Sequence, residues 1–464
     1  MAEVRYSIAP EDVFSTIEEV MLRDGFDICI DMEKSKGSHI YNKINGDEWL
    51  DFYTFFASAP FGMNHEKLAN DEFKEKIFRA AINKVASSDI YTQEMAEFVK
   101  TFKEVAMPKG FSHLFLIDYG TLAVENCFKV AMDWKVRKLI AEGKLTKGAA
   151  IKGKKGTKVI HFNEAFHGRS GYTLTVTNTN DPNKYQYFAQ FDWPRVLNPK
   201  IVFPLEENLG IVEWMERTSL NQIKALLEAD QDDYCAIILE TIQGEGGDNQ
   251  FRTEYLQALR DLCDKHDVLL IFDEVQCGMG ITGKMWAWEH HGVKPDIFSF
   301  GKKAQICGLV AGPRIDSVDG NCFQVSSRIN STWGGTVVDM VRATRYLEIY
   351  RDDKILDYVS NVAGPALLNG LKKLREEFPQ FISNVRGRGV MCAYDFPNSE
   401  LRERFKKGCW QRKMLILPCG NVTMRYRPAL NVPVADIERS IEISREVLKE
   451  MVKECGCGCG CGCN

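Results

Sequence analysis

The chain has 464 residues, 45% of them hydrophobic and 27% charged, which is enough for two domains and a sizeable core. A formal net charge of -5 argues against nonspecific nucleic-acid binding, and no apolar run approaches the ~20 residues of a membrane span. The opening Met-Ala-Glu-Val-Arg-Tyr-Ser lacks a signal peptide's apolar stretch, and ten of the fifteen cysteines are scattered singly as reduced thiols are, so a cytoplasmic location is expected.

In chain order, the segment through Phe56 is expected to join a small C-terminal domain, giving 1–60 to that unit. Apolar runs at 113–118, 158–162, 200–204, 235–240, 268–273 and 296–300 then predict strands. Between them, apolar residues at three-and-four spacing over 122–142, 220–229 and 254–266 predict crossover helices. Such alternation implies an α/β fold with a mostly parallel central sheet, in a large domain over 61–335. After Thr336 the pattern changes to two long helices, an extended stretch at 385–396, a helix, a strand at 424–428 and a last helix to Glu454. This reads as a smaller α+β domain, 336–454. The stretch 143–158, with six lysines and no acid, reads as a solvated surface loop. The remaining five cysteines alternate with glycine in a low-complexity tail, 455–464, whose spacing matches no zinc site; it is expected to be disordered and functionally silent.

The chemistry concentrates around Lys302. It ends the run Asp296-Ile-Phe-Ser-Phe-Gly-Lys302, twenty-nine residues after Asp273, which ends the run Val268-Leu-Leu-Ile-Phe-Asp273. A lysine pair after a strand is ordinarily a solvated loop. A lysine and a buried carboxylate at two strand ends are also what an aldehyde cofactor requires, one to form a Schiff base and the other to keep a pyridine nitrogen protonated. Lys303 would point the other way on an extended chain. Gly278-Met-Gly-Ile-Thr-Gly283 fits a dinucleotide fingerprint, but Asp273 to Cys277 intervene after the strand and two tryptophans follow, so it reads as a plain glycine turn. The eight histidines form no H-x-x-x-H pair, and no metal site is expected.

The segments Asp273-Glu-Val-Gln276, Gly283-Lys-Met-Trp-Ala-Trp-Glu-His-His-Gly292 and Asp296 to Lys302 resemble the class III (omega) aminotransferases of pyridoxal phosphate fold type I. The resemblance implies that Lys302 carries the cofactor, Asp273 binds its ring nitrogen and Gln276 its phenolic oxygen. Gly120-Thr-Leu-Ala-Val-Glu-Asn126 matches the family's phosphate turn, where helix N–H groups hold an anion, giving Gly120 and Thr121. Asp118 and Tyr119 depart from the family's usual glutamate and glycine there. Phe166-His-Gly-Arg-Ser-Gly-Tyr172 matches the segment covering the cofactor, with Phe166 and His167 beside it and Arg169 placed to bind a substrate carboxylate. In Asn330-Ser-Thr-Trp-Gly-Gly335, Thr332 would reach the phosphate in a neighbouring subunit and Asn330 the substrate, which implies a homodimer with shared sites.

The same resemblance pairs Glu245 with Arg425 as a gate. Closed, it masks the arginine and favours a distal amine; open, it lets Arg425 bind the α-carboxylate of a keto acid while Arg169 takes the far one. Thr241 stands where the family usually has proline. Within the family, stretches 55–65, 88–92, 300–308 and 330–335 are most similar to the lysine 6-aminotransferases, so the expected substrates are L-lysine and 2-oxoglutarate. Ornithine and 4-aminobutyrate aminotransferases share the core motifs, and an aminomutase on the same fold would need no keto acid.

Overall fold

Every residue of the strands Tyr234–Glu240, Leu269–Asp273 and Ile297–Phe300 is buried. Strands covered on both faces read as nearly continuous apolar runs, which is why these three stand out in the sequence. In the computed structural model, which describes residues 7–153 and 155–456, they form the middle of a seven-stranded sheet. Its order is His113–Ile117, Cys307–Ala311, Ile297–Phe300, Leu269–Asp273, Tyr234–Glu240, Lys158–Phe162 and Arg195–Val196. Cys307–Ala311 is antiparallel to both neighbours and the other pairings are parallel.

Side chains alternate across the sheet. Ile237, Leu239, Leu270 and Phe272 pack with Phe98, Phe102 and Trp286; Ala236, Ile238, Leu269 and Ile271 face Val124, Phe128 and Trp134 of the helix Gly120–Ala141.

Three expectations need correction. Residues 200–204 form no strand, because their backbone donors are used elsewhere: Ile201 N–H donates to Gln250 O and Phe203 N–H to the Asn384 side chain. The edge is taken instead by Arg195–Val196, paired with His161 and Phe162. The helix expected at 220–229 is the end of a longer one, Leu205–Asp230, whose first half leaves Leu209, Ile211 and Trp214 exposed and so hides its periodicity. The basic stretch contains the helix Lys147–Ile151, capped by Thr146, and Lys144, Lys155 and Lys158 pair with Asp232, Asp230 and Asp233.

Beyond Thr336 come the helix Val337–Asp352 and a helical run from Ile355 to Glu377 with a π turn at Val359–Ala363. The stretch 385–396 is a hairpin, Ser383–Arg388 with Met391–Asp395, and Thr423–Tyr426 and Leu417–Cys419 complete a four-stranded antiparallel sheet. Met424 and Tyr426 enter the core, so Thr423 and Arg425 project from the other face. The N-terminal strand Glu48–Asp51 pairs in parallel with Met414–Leu415. The last helix is Val434–Gly456, and the cysteine-glycine tail from Cys457 lies outside the described residues. Among the described residues no helix is long and apolar enough to cross a membrane.

Candidate active site

The parallel strands bring their C-terminal ends to one edge, where α/β sheets bind ligands. Register sets Glu240, Asp273 and Ser299 side by side there. Asp273 accepts three hydrogen bonds: His167 Nδ1–H to Oδ2 at 2.8 Å, and Ser299 Oγ–H and Val275 N–H to Oδ1 at 2.9 and 3.0 Å. Its carboxylate is therefore fixed in orientation. Glu240 is buried and accepts from Phe166 N–H and Gly244 N–H at 3.0 and 2.9 Å. Burial pushes its carboxyl up to about 7. Sequence reasoning passed over Glu240, although it ends the apolar run 235–240 just as Asp273 ends its own.

After Phe300 the chain coils at once into the short 3-10 turn Lys302–Ala304, with Lys302 at φ +49°. Burial first, and then the nearby charge of Arg425, lower the Lys302 amine to about 8, with Glu240 and Glu245 opposing and Arg427 adding to the shift. Its amine has no hydrogen bond or ion pair among the described residues. Lys303 does face away, but through this coiling rather than through strand alternation. It donates to Gln276 O at 2.6 Å and to Ala57 O at 3.4 Å, and burial lowers it to about 7. Ala57 closes a left-handed turn, Thr54–Ala57, in which all four residues have φ between +43° and +62°. Asp51 holds that turn by accepting from Tyr53 N–H and Thr54 N–H, and Thr54 Oγ–H donates to Arg427 O at 2.7 Å. A left-handed stretch without glycine costs about 1 kcal/mol or more per residue, and its far end bears directly on the Lys302 turn.

A cavity of about 650 Å³ joins these groups. Its wall includes Gly120, Thr121, Phe166, His167, Arg169, Asp273, Gln276 and Lys302, together with Asp118, Tyr119, Glu240, Cys307, Thr336 and Asp339. The helix Gly120–Ala141 starts at this wall, and its first internal bond is Ala123 N–H to Tyr119 O. The N–H groups of Gly120, Thr121 and Leu122 thus have no acceptor within the helix. The Thr121 hydroxyl meets those of Ser170 and Thr173 at 2.8 and 2.7 Å. Gly168, at φ +124°, packs so closely on Thr121 that a β-carbon would overlap its hydroxyl. Arg169 is exposed, with no ion pair among the described residues.

Four of the candidate binding residues, and Thr241, lie off this wall. Glu245 and Arg425 meet at 3.0 Å, and Arg425 Nη1 reaches Gln276 Oε1 at 3.5 Å. Lys184, which nothing in the sequence marked, also pairs with Glu245. Burial alone would raise the Glu245 carboxyl; Arg425 and Lys184 outweigh it and hold the group below its ordinary value. Asn330 and Thr332 are exposed, the Asn330 side chain accepting from Ser331 N–H and the Thr332 carbonyl from Ser88 Oγ–H. Thr241 is buried and donates to Glu274, which also accepts from Ala287 N–H and Trp288 N–H. The glycines at 278–283 form turns that open no helix.

This donor set fits pyridoxal phosphate. A fixed carboxylate, a lysine amine, an aromatic ring and a helix start with free N–H groups surround one cavity of ligand size. His167, on the cavity wall, has its Nε2 buried with no hydrogen-bond partner among the described residues.

Residues 21–448 match the family model for class-III aminotransferases. The chain is 43% identical over 437 residues to L-lysine-epsilon aminotransferase of Mycobacterium bovis, covering 94% of this chain and 95% of the relative. The enzyme of that name from Amycolatopsis lactamdurans is 41% identical over 446 residues, covering 95% and 97%. Lysine aminotransferase from M. tuberculosis in the internal aldimine form superposes with a TM-score of 0.92 at 42% identity, covering 96% of this chain and 100% of that one. The fold is accordingly type I, and the family indicates pyridoxal phosphate as the cofactor. From strand ends to cofactor cavity, this chain belongs to the class-III aminotransferases.

Proposed function

We propose that this chain transfers the ε-amino group of L-lysine to 2-oxoglutarate, giving L-glutamate and 2-aminoadipate 6-semialdehyde, which cyclises to piperideine-6-carboxylate. The observation that carries this reading is the 3.0 Å pair between Glu245 and Arg425. It leaves exposed Arg169, which lines the cavity and has no ion pair among the described residues, to receive a carboxylate, so a donor's α-carboxylate sits at the mouth and its distal amine inside. The names of the relatives support lysine as that donor.

Pyridoxal phosphate, when bound, supplies an aldehyde that captures an amine and a ring that takes up an electron pair. Lys302 would hold the aldehyde carbon and then, once released from it, move a proton at the substrate carbon. Asp273 would keep a proton on the ring nitrogen, Gln276 would bond the phenolic oxygen, Phe166 and His167 would lie against the ring, and Gly120 and Thr121 would hold the phosphate. For the second substrate Glu245 leaves Arg425, which binds the α-carboxylate of 2-oxoglutarate, and Arg169 binds the far one.

The active unit in this reading is a homodimer. Asn330 and Thr332 face outward beside exposed Trp333, and a Ser88 contact ties their loop to the exposed Ile90 and Tyr91, an apolar edge suited to a second copy. Thr332 would then bond the phosphate held by the neighbour. We further assign 61–335 to a large domain and 336–454 to a small one joined by residues 1–60, which the pairing of Glu48–Asp51 with Met414–Leu415 supports. The ten free cysteines before the tail suit a cytoplasmic protein.

The test is glutamate formation from 2-oxoglutarate with L-lysine, L-ornithine and 4-aminobutyrate offered separately. Turnover with lysine, and a product trapped as the cyclic imine, is expected. Preference for either other amine would overturn the donor assignment, and turnover without a keto acid would point to an aminomutase.

A further inference from the structure

Glu245 carries a cation on each oxygen. Oε2 accepts from Arg425 Nη2 at 3.0 Å, and Oε1 accepts from Lys184 Nζ. The two arrive differently. Arg425 lies on the strand Thr423–Tyr426, is 3% exposed, and is steadied by Gln276. Lys184 ends the short 3-10 turn Pro182–Lys184, and its one other ion pair among the described residues is a 3.8 Å contact with Asp181.

The backbone that presents Glu245 is held firmly. It is the loop of a hairpin, Ile242–Gln243 with Asn249–Gln250. Gly420 N–H donates to Glu245 O at 2.8 Å. Asn249 donates to both Glu164 and Gln243, at 3.0 and 2.9 Å, and Lys200 closes the cluster on Glu164. What can move is the Glu245 side chain.

Charge counting then assigns Lys184 a task. If Arg425 were the sole partner, giving it to an incoming carboxylate would strand Glu245 as a part-buried anion beside a second anion. With Lys184 already on Oε1, Glu245 keeps a counter-ion when it lets go of Arg425. We propose that Lys184 is a positioning residue that holds Glu245 in the open state of the gate, so that it sets affinity for dicarboxylate substrates. This rests on the gate reading of Glu245 and Arg425 given above. Lys184 touches no substrate in this account and acts only through Glu245.

Calorimetric binding of glutarate, a dicarboxylate with no keto group to react, tests this with the holoenzyme and four variants: Lys184→Met, Lys184→Arg, Glu245→Ala, and Lys184→Met with Glu245→Ala. Glu245→Ala is expected to tighten glutarate by unmasking Arg425. Lys184→Met is expected to weaken it about tenfold, Lys184→Arg to retain parental binding, and Lys184→Met to have no effect once Glu245 is alanine. Unchanged or tighter binding in Lys184→Met, with Glu245→Ala tightening as expected, would overturn the role of Lys184 and leave the gate standing. Equal weakening in both backgrounds would also overturn it, because Lys184 would then contact the ligand directly. No change in Glu245→Ala would refute the gate itself.

Discussion

His167 Nδ1 lies 2.8 Å from Asp273 Oδ2, while the other nitrogen of the same ring is buried without a partner among the described residues. A carboxylate oxygen accepts, so Nδ1 carries the hydrogen and the ring is held in one tautomer. Together with Ser299 and Val275, this bond aims Asp273 into the cavity. Asp273→Asn should lower turnover by about a hundredfold to a thousandfold, as loss of one preorganised electrostatic group does, and weaken cofactor binding in equilibrium dialysis. His167→Ala should cost less, because Ser299 and Val275 still orient the carboxylate. A fully active Asp273→Asn protein would remove Asp273 from the proposed machinery.

The Lys302 amine, lowered by burial to about 8, attacks an aldehyde only when it is neutral. Capture of pyridoxal phosphate by the apoprotein should therefore rise about tenfold per pH unit below that value and level off above it, followed by stopped-flow absorbance. Stability should follow the same group. Its folded value lies below the ordinary 10.5, so between about 8 and 10.5 the unfolded chain holds more protons and folding is favoured as pH rises. Urea titrations of the apoprotein across that window should show the rise, and Lys302→Ala should reduce it.

Tyr119 has φ +70° and ψ +136°, backbone angles that suit glycine, and its side chain is 74% exposed. Holding a β-carbon there costs on the order of 1–3 kcal/mol, against roughly 0.5–1 kcal/mol for the extra freedom of glycine when unfolded. Tyr119→Gly should thus stabilise the apoprotein by about 1 kcal/mol in urea unfolding. A loss of stability would mean that the tyrosine ring contributes packing which outweighs the strain.

Much of the site was legible because buried parallel strands leave unbroken apolar runs whose last residue is polar. Asp273 and Lys302 stood out for that reason, and Glu240 carried the same mark. The antiparallel Cys307–Ala311 was harder to see. It contains Gly308, which fits because a β-carbon there would strike the Phe115 carbonyl, yet glycine weakens a strand pattern. The left-handed turn Thr54–Ala57 has no glycine to announce it and is held locally by Asp51 and, from distant parts of the chain, by Arg427 and Lys303. Lys184 left no trace because the chain around it has neither strand nor helix period; only folding brings it to Glu245.

The most direct test of the account follows the nitrogen itself. L-Lysine carrying a heavy nitrogen isotope in either its ε- or its α-amino group would be incubated with the holoenzyme and 2-oxoglutarate, and the glutamate formed would be weighed by mass spectrometry. The account predicts that the ε label enters glutamate and the α label does not. Label arriving from the α position, or no labelled glutamate from either lysine, would contradict it.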